Sequence, residues 1–159
     1  MAVARDHGGL AEVELDVAAV ADPARRDGQV AEATRLVVSA LDHSDVLLLT
    51  SRDLRRGRDA AESLEISGRV SVAVTEVVRG ALPARPAWVL AKGGITSHDV
   101  AVRGLGIRRA TVLGQLFPGL VSVFRPLDAA PEAVGIPYVV FAGNVGDETT
   151  LASVIDRFR

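Results

Sequence analysis

Trp88-Val89-Leu90-Ala91-Lys92-Gly93-Gly94-Ile95-Thr96-Ser97-His98-Asp99 is the stretch that sets the architecture. Its apolar opening, Trp88 to Ala91, predicts a strand buried on both faces. Lys92-Gly93-Gly94 closes that strand, because adjacent glycines let the backbone turn tightly and approach a neighbour or ligand without a Cβ in the way. A helix is predicted from about Ser97 to Leu105, with Thr96 and Ser97 available as its caps. The first amides of such a helix lack internal partners and, with the helix dipole, favour an anion. Lys92 would add a positive charge beside them. Taken alone, the segment is equally well explained as an ordinary capped glycine turn. It is neither a phosphate-binding P-loop nor a Gly-x-Gly-x-x-Gly dinucleotide turn.

Outward from this stretch, strand and helix signals alternate. Glu12 to Val17 alternates polar and apolar residues and predicts a short strand. Asp22-Pro23 marks a helix start, and Val30, Ala33, Val37, Val38 and Leu41 recur at helical spacing behind it. Val46 to Leu49 reads as a strand buried on both faces and exits through Thr50-Ser51-Arg52. Asp53 to Glu62 is polar and reads as a loop, and Ser67 is placed to cap a helix running to about Arg79. Thr111 to Leu113, Leu120 to Phe124 and Tyr138 to Phe141 predict further strands, with Phe117-Pro118-Gly119 between the first two. The expected fold is therefore α/β, with a mixed, mostly parallel sheet flanked by helices on both faces and an antiparallel portion after residue 110. Residues 1–159 are expected to form one domain.

In open α/β sheets ligands collect beyond the carboxyl ends of strands. Three segments fall there: Thr50-Ser51-Arg52, Lys92 to Ser97, and Gly143-Asn144-Val145-Gly146-Asp147. In the last, Gly143 and Gly146 permit close approach or a positive φ, Asn144 offers an amide to a base, ribose or phosphate, and Asp147 is placed to cap the final helix, with Glu148 beside it. A capped turn with no further role explains this segment too, and a polar strand exit explains Thr50 to Arg52. His7, His43 and His98 have no metal-ligand spacing, so no protein-held metal is expected.

Composition narrows the function classes. The chain is 48% apolar and 24% charged with a formal net charge of -2, an ordinary globular balance with no global pull toward nucleic acid or membrane. It has no cysteine, so disulfide and thiolate chemistry are excluded and a cytoplasmic setting is expected.

The strings Ala91 to Ala101, Gly104-Leu105-Gly106, Val112-Leu113-Gly114-Gln115, Phe117-Pro118-Gly119 and Pro137 to Asp147, with Leu49-Thr50-Ser51-Arg52 before them, resemble the C-terminal domain of the four-carbon acid sugar kinase family. They occur in the family's order from about residue 20 onward. The resemblance implies a nucleotide-binding domain that works with an N-terminal domain holding a tetronate or 3-oxo-tetronate. That acid-binding domain has no counterpart in these residues. Carried onto this sequence, it implies ATP contacts from Ser51, Arg52, Lys92, Gly93, Gly94, Thr96, Ser97, Gly143, Asn144 and Gly146. Mg²⁺ would arrive held mainly by the phosphates and waters. The implied partners are ATP, the acid-binding domain and, for an oligomer, a second copy in a homodimer. The alternative is a non-catalytic nucleotide sensor or interaction module.

Overall fold

The structure is a computed structural model, described for residues 9–51, 60–117, 121–147 and 149–159. Arg52, Glu148, the Pro118-Gly119 part of the expected turn and residues 53–59 of the expected loop lie outside that set. The described residues divide into two compact units, one from Ala11 to Ala84, the other from Arg85 to Arg159 together with Gly9 and Leu10.

The first unit is built on strands β1 (Leu10–Leu15) and β2 (Asp45–Thr50), which pair with each other. Between them run a short helix α1 (Val17–Ala21) and the long helix α2 (Pro23–Leu41), and α3 (Ala60–Ala81) follows. Asp22 caps α2 by accepting the Ala24 amide at 2.9 Å, with Pro23 in the first turn as the sequence leads one to expect. Ala33 and Val37 of α2 meet Ala73, Val77 and Ala81 of α3, one helical stripe against another, over Val13 and Leu15 of β1. Gly80 sits so close to Thr34 that an added Cβ would lie 2.6 Å from Thr34 Cγ2.

Three expectations are corrected in this unit. Val46 to Leu49 are each partly exposed, because β2 belongs to a two-stranded sheet and not to the centre of a larger one. Ser67 lies inside α3, where its hydroxyl donates to the Ser63 carbonyl one turn back at 2.9 Å instead of capping a helix start. Residues 60–62, expected in a loop, begin that same helix.

The second unit carries a four-stranded mixed sheet of order β3-β6-β5-β4, formed by Val89–Lys92, Tyr138–Phe141, Val121–Asp128 and Arg109–Phe117. β3 and β6 are parallel, with Val89 opposite Tyr138 and Lys92 opposite Phe141. β4, β5 and β6 form an antiparallel meander, the antiparallel portion anticipated after residue 110. Helix α4 (Gly94–Asp99) follows β3, continues as a π-helical turn over Val100–Gly104, and α5 (Thr150–Asp156) closes the chain. Leu151, Val154 and Ile155 of α5 pack on Val121, Val139 and Phe141 of the sheet, and Trp88 joins them with its ring 5.4 Å from that of Phe158. The mixed α/β class with flanking helices stands as the sequence implied. Among the described residues no helix is long and apolar enough to cross a membrane.

Candidate functional site

The parallel pairing of β3 with β6 places two loops side by side, since each strand ends in a glycine turn at the same edge of the sheet. The first begins at Gly93, whose amide donates to Phe141 O at 2.8 Å. Its φ of 104° and ψ of 147° lie where only glycine is at ease, and this bend sends the chain straight from strand into helix. Helix α4 therefore starts at Gly94, three residues before the expected Ser97, and neither Thr96 nor Ser97 is its cap. The first i→i−4 bond runs from the Ser97 amide to Gly93 O at 2.9 Å, so the Gly94, Ile95 and Thr96 amides lie ahead of the helical ladder. Gly94, Ile95 and Thr96 are all exposed, and a Cβ at Gly94 would meet nothing within 4 Å.

The second turn, Ala142 to Asp147, lies against the first. A Cβ added to Gly143 would sit 3.5 Å from Gly93 Cα. Lys92 bridges the pair: its ammonium lies 4.0 Å from the centre of the Phe141 ring and 3.4 Å from the carbonyl oxygens of Ala142 and Gly143. Gly143 and Asn144 are exposed. Gly146 has φ of 76°, and an added Cβ would come within 2.8 Å of the Thr150 side chain. Thr149, not the expected Asp147, holds the N-cap position of α5; Asp147 closes the turn just ahead of it, its Oδ1 accepting the Thr149 and Thr150 amides at 2.9 Å and both threonine hydroxyls at 2.8 Å. The hydroxyl and amide donors of Thr149 and Thr150 hold its carboxyl down at about 2.

The remaining sequence candidates divide sharply. Ser97 is buried, and its hydroxyl donates to Ala91 O at 3.0 Å, away from the exposed turns. Ser51 belongs to the first unit, where its amide donates to Leu15 O and its Oγ accepts the Val17 amide at 3.0 Å, at the start of α1. His98 is exposed on α4. No group of three or more His, Cys, Asp or Glu side chains able to hold a metal occurs among the described residues. One residue bonded to α4 does not stand out in the sequence. Tyr138, read only as a strand residue, is buried and donates its hydroxyl to Ser97 O at 2.6 Å. Burial raises its pKa well above the usual phenol value, so the hydroxyl stays protonated and remains a donor. The available signal was the single tyrosine of the chain standing at the head of an otherwise apolar strand.

The two glycine turns thus stand side by side at the ends of β3 and β6, one of them leading straight into a helix. The profile of the nucleotide-binding C-terminal domain matches residues 1–151, and the chain belongs to that family. No curated protein matches the chain. Solved structures share the fold. A Bordetella bronchiseptica protein, a domain of unknown function (DUF1537) crystallised with bound citrate as a domain-swapped dimer, superposes with a TM-score of 0.74 at 22% identity. A second crystal form of it gives 0.65 at 21%. A Salmonella typhimurium LT2 protein, provisionally named a tRNA synthase, gives 0.75 at 20%. Each alignment covers 99% of this chain, which spans only 37%, 35% and 37% of those proteins respectively.

Proposed function

We propose that these 159 residues are the ATP-binding domain of a kinase for four-carbon sugar acids of the tetronate or 3-oxo-tetronate type. The observation that carries the reading is the approach of Gly143 to Gly93, which sets two glycine turns beside each other at the ends of parallel strands. Such a pair fits a polyphosphate, because glycine turns let main-chain amides come close to phosphate oxygens. The amides of Gly94, Ile95 and Thr96 would donate to those oxygens, Lys92 would offset their charge from between the turns, and Asn144 would contact base or ribose. Ser97 would act through its place in the helix. Ser51 and Arg52 are retained as contacts on the family resemblance alone; a hydroxyl that accepts an amide, as that of Ser51 does, still has a proton to give.

ATP supplies the phosphoryl group and carries Mg²⁺ on its phosphates. The chain's own residues contribute position and charge, the chief resources of phosphoryl transfer. We assign the sugar acid and the base for its hydroxyl to the acid-binding domain that the family resemblance implies. Calorimetry with Mg-ATP, ADP and adenosine tests the nucleotide part. Incubation with Mg-ATP and a panel of tetronates, with and without a family acid-binding domain, tests the kinase part. We expect ATP binding by this chain and phosphorylated acid only in the mixture. Failure to bind ATP defeats the proposal, and turnover by this chain alone defeats the division of labour.

A further inference from the structure

We infer that Tyr138 and Ser97 are positioning residues that fix the spacing of the two glycine turns and thereby the grip on phosphate. The inference rests on the nucleotide reading above. Ser97 is tied to both parallel strands at once: its hydroxyl donates to Ala91 O of β3 at 3.0 Å, and its carbonyl accepts the Tyr138 hydroxyl from β6 at 2.6 Å. Both residues are buried, at 4% and 2% exposure, so water does not compete for either bond. β3 runs on into Gly93 and β6 into Gly143, so a single helical residue registers both turns.

The helix itself bears the mark of this clamp. A mid-helix carbonyl ordinarily serves one amide four residues on. Here the Val100 amide is shared between Thr96 O and Ser97 O, Tyr138 donates to Ser97 O as well, and the ladder then widens to the Leu105 amide on Val100 O at 2.8 Å. A side chain inserted into the ladder is a recognised cause of such a change of pitch. Phenylalanine at 138 would keep the ring's packing and remove only the bond to Ser97.

The test compares the full 159-residue chain with Tyr138→Phe and Ser97→Ala, all checked for folding by circular dichroism and thermal melting. Amide exchange of the ligand-free proteins is the first readout. Faster exchange at residues 93–96 and 143–144 in the variants is expected, and unchanged exchange there in both overturns the inference whether or not nucleotide binds. The second readout is calorimetry with ATP and adenosine. The variants are expected to lose about three- to tenfold in ATP affinity and less in adenosine affinity, since adenosine lacks the phosphates that the Gly93 turn would hold. Equal losses for both ligands mean a general structural role and overturn the inference. A wild-type chain that binds neither ligand defeats the nucleotide reading instead, and the exchange data then decide the clamp by themselves.

Discussion

Gly143 rests against Gly93, with room for one carbon between them: an added Cβ at 143 would stand 3.5 Å from Gly93 Cα, an ordinary contact. Gly143→Ala is therefore expected to fold and to bind ATP nearly as the wild type does. A branched side chain cannot be placed there without parting the turns, so Gly143→Val is expected to weaken ATP binding about tenfold or more. Calorimetry on both variants checks this, and equal affinity of the valine variant would separate Gly143 from the ligand.

The two adjacent glycines have different duties. Gly93, at φ of 104°, is strained in any other residue, and Gly93→Ala is expected to cost about 1–3 kcal/mol of stability in denaturant unfolding. Gly94 has no positive φ and open space around its Cβ position, so Gly94→Ala should be neutral in the same experiment. Gly94→Val should fold yet bind ATP less well, because its side chain fills the approach to the amides. If Gly94→Val binds ATP normally, phosphate does not lie over this turn.

Acid should loosen the final helix. Asp147 has its pKa lowered from 3.8 to about 2 by the hydroxyls and amides of Thr149 and Thr150. A carboxylate whose folded pKa is depressed stabilises the fold fully above its unfolded value and loses that contribution as pH falls toward the folded one. The window is thus from 3.8 down to about 2. Thermal melts across that range should fall less steeply for Asp147→Ala than for wild type, with the variant already less stable at neutral pH. Parallel slopes would mean that Asp147 does not titrate there.

In the first unit, Gly80 and Thr34 should be energetically coupled. A Cβ at 80 would meet Thr34 Cγ2 at 2.6 Å, and Thr34 cannot easily rotate, because its hydroxyl donates to Val30 O at 2.8 Å. Gly80→Ala is expected to cost about 1–3 kcal/mol through this overlap. Thr34→Ser removes the offending methyl and should recover most of that loss in a double-mutant cycle. Additive losses would show that the helices simply move apart.

Local chemistry was legible in the sequence where one or two residues decide it. Asp22-Pro23 starts a helix and the apolar run from Tyr138 to Phe141 is a strand, because each depends on neighbours in the chain. The boundary at Gly94 was not legible, since nothing local says which of two glycines takes the positive φ; the packing of β3 on β6 decides it. The partner of Tyr138 was hidden for the same reason, as Ser97 reaches it only once β6 and α4 are packed. Ser67 misled because a serine can cap a helix or bond back along it, and the residues before it determine which.

β3 hangs on its sheet by one neighbour. Within the four-stranded sheet it pairs with β6 alone, whereas β4, β5 and β6 hold one another as a hairpin-linked meander. The meander closes over short stretches of chain, but β3 joins only when the backbone loops from Val89 round to Tyr138, a long closure to accomplish for four residues of strand. The part of this unit most easily shed is thus the strand that leads into Gly93. Any molecule gripping both turns acts as a rivet across that seam and protects β3 from detachment. Limited proteolysis in the segment before Val89 would report it: nucleotide should slow cleavage there, and cleavage indifferent to nucleotide would mean that the seam is closed by the chain alone.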